Sequence, residues 1–181
     1  MLGMVAEHDV GTAPLDTAEI AHIAATLPPG VTAVVLTHRT DAAAILNLQH
    51  HCRVGAIQLL SPTTPAARQA ILEGAPGVQL LQVVPLNTTA PDEAIQQAAR
   101  HSNAVLLDAG PPGDEVRGRP GQIRDWTRCR QLVRAAAVPI VLAGGLSGDT
   151  VRAAIRAVRP YGVDAGARLR TDGQLDSAAL A

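Results

Sequence analysis

Along its whole length the chain alternates short, nearly continuous apolar runs with longer Ala-rich stretches of helical spacing. The runs cover residues 2–6, 32–37, 56–60, 79–86, 104–109, 139–144 and 162–167. A strand that reads as apolar on both faces is buried on both faces, and that is the habit of parallel sheet covered by helices. Strict alternation therefore predicts an α/β chain, β-α-β-α throughout, with seven strands and six helices between them. The spacing is about 26 residues per unit, near the ~30 of a TIM-type (β/α) barrel. A doubly wound open sheet is the alternative, and no G-x-G-x-x-G follows the first strand to favour its dinucleotide-binding form. No linker divides the chain, so residues 1–181 are read as one domain.

Several helix starts are legible. Thr64 precedes Pro65, Pro91 is followed by Asp92 and Glu93, and Ser147 or Asp149 precedes the sixth helix. In that helix Val151, Ile155 and Val158 form the apolar repeat, with Arg152, Arg156 and Arg159 on another face. In the second helix Ala43, Ile45, Leu46 and Leu48 crowd one side.

Composition then removes whole classes of function. All 15 basic residues are Arg, so Schiff-base, pyridoxal-phosphate and P-loop chemistry lack their lysine. Phe is absent and Trp and Tyr occur once each, too few for a stacking platform on single-stranded nucleic acid. A net charge of −1 advertises neither nucleic acid nor an anionic membrane as partner. Cys52 and Cys129 make no zinc spacing and no disulfide framework, and both fall in helical stretches as packing residues. With no apolar run of ~18 residues and no basic n-region, a cytoplasmic location is expected. No metal or organic cofactor is called for.

In a parallel barrel the chemistry gathers at the carboxyl ends of the strands. There the chain places Glu7, His8 and Asp9; His38 and Arg39; Gln58 and Ser61; Asp108; Gly144 and Gly145; and Asp164, Gly166, Arg168 and Arg170. Asp108 leaves a buried strand, where partial desolvation raises a carboxyl pKa and suits it to general acid work; the plain alternative is a solvated acid or a cap. Gly144-Gly145 ahead of a helix offers backbone N–H groups to a phosphate, or is a plain tight turn. His8 and His38 are candidate general bases, or exposed loop histidines. The Gly- and Pro-rich stretch 110–125 reads as a long loop over a site.

Leu106-Leu-Asp108, Gly118-Arg-Pro-Gly121-Gln-Ile-Arg-Asp125-Trp126, Pro139-Ile-Val-Leu-Ala-Gly-Gly-Leu146 and Val158-Arg-Pro-Tyr-Gly-Val-Asp164 together resemble phosphoribosylanthranilate isomerase. Ala56-Ile-Gln-Leu resembles that family's third-strand motif more loosely. The resemblance implies a (β/α)₈ barrel that isomerises a phosphoribosyl-amine to an amino-deoxyribulose, an Amadori rearrangement in tryptophan biosynthesis. It implies Asp108 as general acid, Gln58 and Asp164 facing the substrate, and Gly144 and Gly145 at its phosphate. Gly166 and Arg168 are added to the phosphate site.

The family's first βα unit, with its Cys base, has no counterpart here, and the last helix looks short. The family's carboxylate-gripping Arg falls near residues 12–14, where none stands. Three readings follow: an isomerase lacking its first unit, a repurposed member with His8 or His38 as base, or a relative that binds a phosphorylated ligand or a protein partner without turnover. An open sheet edge also allows copies to pair as a homo-oligomer.

Overall fold

The computed structural model describes residues 1–7, 14–110, 126–171 and 174–180. The described backbone forms two compact units, residues 1–83 with 98–103, and residues 84–97 with 104–181.

The first unit holds β1 (Leu2–Val5), α1 (Thr17–Thr26), β2 (Ala33–Thr37), α2 (Ala42–Cys52), β3 (Ala56–Leu59), α3 (Pro65–Gly74) and most of β4 (Gln79–Pro85). The strands are parallel and lie in chain order, with Met4 beside Val35, Val35 beside Ile57 and Ile57 beside Leu80. That row, with Leu59, faces Ile20, Ile45, Leu48, Cys52 and Ile71 from the helices and makes the unit's apolar core. Alternation turns Val34, Ala56 and Gln58 to the other face. Helix starts follow the expected chemistry: Thr64 caps α3 through the Ala67 amide, and Asp16 and Glu19 cap α1 reciprocally.

The second unit holds α4 (Pro91–Ala99, in part), β5 (Ala104–Asp108), α5 (Trp126–Ala135), β6 (Ile140–Ala143), α6 (Gly148–Val158) and β7 (Gly162–Val163). β5, β6 and β7 are parallel and again in chain order. Val105, Leu107, Cys129, Leu132, Ile140, Leu142, Ala154 and Val158 are buried. An ion pair between Arg128 and Asp92 joins α5 to α4.

Two expectations need correction. The last strand was read over 162–167, but only Gly162–Val163 is strand, and Ala167–Leu169 forms a 3₁₀ turn. Ala165 and Gly166 bring no β-branched side chain to hold a ladder, and this stretch is exposed. In α6 the stripe runs through Ala154 rather than Ile155, which is 45% exposed. The small Ala154 and Val158 are the buried pair, and the longer side chain turns outward. A short hairpin (β8, Arg170–Thr171, and β9, Gln174–Leu175) and a final turn α7 (Ser177–Leu180) follow. The expected loop over 110–125 lies, beyond Gly110, outside the described residues.

One buried group has no forerunner in the sequence reading. Arg68 on α3 is 2% exposed. Its Nε donates to the Arg100 carbonyl at 3.0 Å, and its Nη1 donates to the Thr63 carbonyl. Burial pushes its pKa down. A buried guanidinium is costly unless its donors are used, and here it supplies donors to carbonyls that end a helix and open a loop. Arg68→Met keeps the stem and strands both carbonyls. It is expected to lower the unfolding free energy in urea by about 2–4 kcal/mol with an unchanged m-value.

Candidate active site

In the second unit the carboxyl ends of β5, β6 and β7 form one row. Asp108 lies beside Ala143, and the Asp164 amide continues the β6–β7 ladder by donating to the Leu142 carbonyl at 2.9 Å. Asp108 and Asp164 therefore flank the end of β6, on strands two apart, with Gly144 next in the chain. The Gly110 amide donates to Asp108 Oδ1 at 2.9 Å. Oδ2 has no partner among the described residues.

Gly144 is what makes room for this carboxylate. Its φ is +97°, in the region that L side chains avoid. A Cβ there would also collide with the Gly110 amide nitrogen and would lie 2.5 Å from Asp108 Oδ1. Gly145 has φ +60° and leads into α6, whose cap is Ser147. The Ser147 amide donates to Thr150 Oγ1 at 3.0 Å, and Asp149 stands in the first turn. Gly166 opens the exposed 3₁₀ turn that carries Arg168, whose side chain is exposed.

The Asp164 carboxyl is raised above its ordinary value, first by desolvation and then by the Asp108 carboxylate. Its surface is nonetheless exposed. Because the residue is exposed, the effect on stability is small.

In the first unit the strand ends carry a different group. Glu7 follows β1 and accepts from the Thr37 hydroxyl with both oxygens at 3.0 Å. The His38 amide donates to Glu7 Oε2 at 2.8 Å, and Arg39 Nε pairs with Oε1 at 2.6 Å. Arg39 Nη1 donates to the Ala44 carbonyl at 3.1 Å. His38 is exposed, with Nδ1 3.3 Å from Ser61 Oγ. Gln58 is buried on the face opposite Ile57 and Leu59. Nearby, the buried Gln82 donates to the Leu59, Ser61 and Val83 carbonyls and accepts from Thr63, which fixes the turn after β3.

The structure thus gathers Asp108, Gly144, Gly145 and Asp164 at one set of strand ends, and sets Gly166 and Arg168 on the turn that follows β7. It sets His38 at the end of β2 in the first unit. His8 lies outside the described residues. Sequence reasoning placed Glu7 and Arg39 at strand ends without a role, and passed over Gln82 and Arg68. Gln82 was visible as a polar residue inside an apolar run. Arg68 shares a stripe with Ile71 and Ala75 at i+3 and i+7. Both cysteines are buried on helices, with the Cys52 thiol pushed up by burial, so neither is a strand-end thiol. Among the described residues no His, Cys, Asp and Glu cluster fits a metal ion, and no helix is long and apolar enough to cross a membrane.

Parallel strands in chain order, helices between them and polar groups at the strands' carboxyl ends define a protein of the TIM-type (β/α) class. The family model described as N-(5'phosphoribosyl)anthranilate (PRA) isomerase matches residues 12–181, and the chain belongs to that family. An N-(5'-phosphoribosyl)anthranilate isomerase of Natronomonas pharaonis is 31% identical over 181 residues, covering 99% of this chain and 83% of that protein. N-(5'-phosphoribosyl)anthranilate isomerase 2 of Methanosarcina mazei is 30% identical over 143 residues, and this chain spans 63% of its length.

Solved structures agree on the fold. The phosphoribosyl anthranilate isomerase of Thermotoga maritima superposes with a TM-score of 0.80 at 23% identity, over 98% of this chain and 82% of that one. Another such isomerase, solved in complex with reduced 1-(o-carboxyphenylamino)-1-deoxyribulose 5-phosphate, gives 0.76 at 22% identity over 98% and 81%. The fold class is therefore the one expected from the alternation, with seven parallel strands in this chain.

Two tests follow. Gly144→Ala is expected to cost at least about 2 kcal/mol, because strain and collision act together. Gly148→Ala, where a Cβ meets nothing within 4 Å, should be neutral in the same urea titration. For Asp164 the folded carboxyl holds its proton more tightly than the unfolded one. The penalty is absent below its ordinary value of 3.8 and appears as pH rises through the folded value. Asp164→Asn is therefore expected to raise Tm by about 1–2 °C at neutral pH, and the gain should vanish near about pH 3.

Proposed function

We propose that this chain carries out an Amadori-type isomerisation of N-(5'-phosphoribosyl)anthranilate, with Asp108 as general acid. The observation that carries the reading is the Asp108 carboxylate at the end of β5, held by the Gly110 amide on Oδ1, with no partner on Oδ2 among the described residues. Ring opening of a phosphoribosyl-amine needs a proton on the ring oxygen as the C–O bond breaks. A carboxyl fixed at a strand end is suited to deliver it. The resulting imine loses its C2 proton to give an enol-amine, which returns a proton to carbon and becomes the ketone. Every atom of the substrate is kept, so no cofactor is consumed.

Gly144 and Gly145, with Gly166 and Arg168, are assigned to the substrate phosphate, and Gln58 and Asp164 to its body. Neither cysteine lies at a strand end, so the C2 proton acceptor is assigned to an imidazole, His38 or His8. We read the chain as one domain, cytoplasmic, working in tryptophan biosynthesis. The buried cysteines also favour a second reading, in which the fold binds a phosphorylated ligand and turns nothing over.

Turnover of phosphoribosylanthranilate by this chain decides between the two. On the first reading Asp108→Asn lowers kcat by about 10²–10⁴-fold while KM changes little. On the second, the unaltered chain binds reduced 1-(o-carboxyphenylamino)-1-deoxyribulose 5-phosphate but shows no turnover. His38→Ala with full activity would remove His38 as the proton acceptor.

A further inference from the structure

The net charge of −1 conceals an uneven distribution. From residue 126 to 159, α5 through the end of α6, six of the 15 Arg fall with one acid, Asp149. The rest of the chain sets nine Arg against 15 acids. Two of the six arginines serve the fold. Arg128 pairs with Asp92, and Arg130 Nη1 donates to the Ala157 carbonyl at 3.2 Å, tying α5 to α6. Arg152, Arg156 and Arg159 are exposed and make no ion pair among the described residues. Spaced i, i+4 and i+7, they line the face of α6 opposite the buried Ala154 and Val158. Arg156 and Arg159 suit the carboxyl end of a helix dipole, but Arg152 stands mid-helix, where a like charge four residues on is unfavourable. Ile155, three residues after Arg152 and four before Arg159, is 45% exposed among them. Tyr161, the only Tyr of the chain, follows at 80% exposed. Exposed Ile and Tyr among arginines make the composition of a binding hot spot rather than of a solvated face.

We propose that the face of α6 from Arg152 to Arg159, with Tyr161, docks an acidic amphipathic helix of a partner protein. Arginine forks take carboxylates bidentately, and carboxylates repeated at i, i+4 and i+7 on a facing helix meet the three guanidinium groups in step. The apolar residue between those carboxylates packs on Ile155. A second copy of this chain supplies no such helix, because none of its described helices carries two acids three or four residues apart. Its acids instead cap helices, as Asp16 and Asp41 do, or pair with arginine, as Glu7 and Asp92 do. A nucleic-acid backbone is held by phosphate contacts and gains nothing from Ile155, so the exposed apolar residue favours a peptide. At 1.5 Å per residue the helix is about 16 Å long, which makes the contact small and the complex transient. Tyr161 precedes β7 and Asp164 follows it, so this surface belongs to the end of the strand away from the carboxylates. The proposal therefore stands independently of the isomerase reading.

The probe is a synthetic Ala-rich helical peptide with Glu at i, i+4 and i+7 and Leu at i+3, titrated into the intact chain at physiological ionic strength. Its counterpart with Gln in place of each Glu, and a single-stranded thymidine oligonucleotide, are titrated alongside. The acidic peptide is expected to bind at least about 10-fold more tightly than the Gln peptide, and to weaken as salt is raised. The double variant Arg152→Gln, Arg156→Gln should lose at least about 10-fold in affinity for it, and Ile155→Ser about 5-fold. Arg53→Gln, on α2, should change nothing. All these positions are exposed, so the variants are expected to unfold in urea with the unaltered chain. Failure of the acidic peptide to bind, or equal binding of the Gln peptide, would overturn the proposal. Unaltered affinity in the folded double variant would overturn it by placing the contact elsewhere. Tighter binding of the oligonucleotide, lost in the double variant, would overturn it in favour of a phosphate-binding face.

Discussion

A parallel strand that stops leaves polar backbone groups with no ladder to join, and this structure is organised by how those groups are satisfied. After β1, the Glu7 carboxylate takes the His38 amide and the Thr37 hydroxyl. After β3, the Gln82 amide takes the Leu59 and Ser61 carbonyls. After β5, the Asp108 carboxylate takes the Gly110 amide. In each case a side chain fastens the turn that leaves a strand end. The same requirement that stabilises the fold thus concentrates charged and amide groups at the strand ends. A site there is a by-product of strand termination before it is anything chemical.

Glycine decides which of these ends stays open. At the end of β6 the backbone of Gly144 passes so close to Asp108 and Gly110 that no side chain fits. The approach is possible only at positive φ, which Gly144 adopts without strain. The consequence is a carboxylate whose Oδ1 and its Gly110 amide partner lie against the Gly144 backbone, set at the end of a strand. Asp164, just after β7, has a raised carboxyl, first from desolvation and then from the Asp108 carboxylate. Like charges on strands two apart are tolerable because Asp164 remains in contact with solvent.

The sequence made much of this legible, and the reason is periodicity. Apolar runs without a polar face fixed the parallel sheet, and the starts of α3, α4 and α6 followed from Thr64, Pro91 and Ser147. Asp108 and Gly144 stood out because each interrupts a run at its carboxyl end. What stayed hidden depends on contacts between distant residues. Arg68 reads as one more surface Arg until Thr63 and Arg100 present it with carbonyls. Glu7 and Arg39, 32 positions apart, become a pair only because β1 lies beside β2 in register. The seventh strand failed for the opposite reason. Its apolar run is long enough, but small residues and exposure leave the ladder too little to hold.

The two groups of strand ends also differ in kind. In the second unit the Asp108 carboxylate is held, among the described residues, through one oxygen by the Gly110 amide. In the first unit Glu7 is held by three donors, the Thr37 hydroxyl, the His38 amide and Arg39 Nε. One carboxylate is thus tied by a single backbone amide and the other by three donors, although both stand at the end of a parallel strand. The same carboxylate chemistry fastens both strand ends, through one oxygen to a backbone amide at Asp108 and through both oxygens at Glu7.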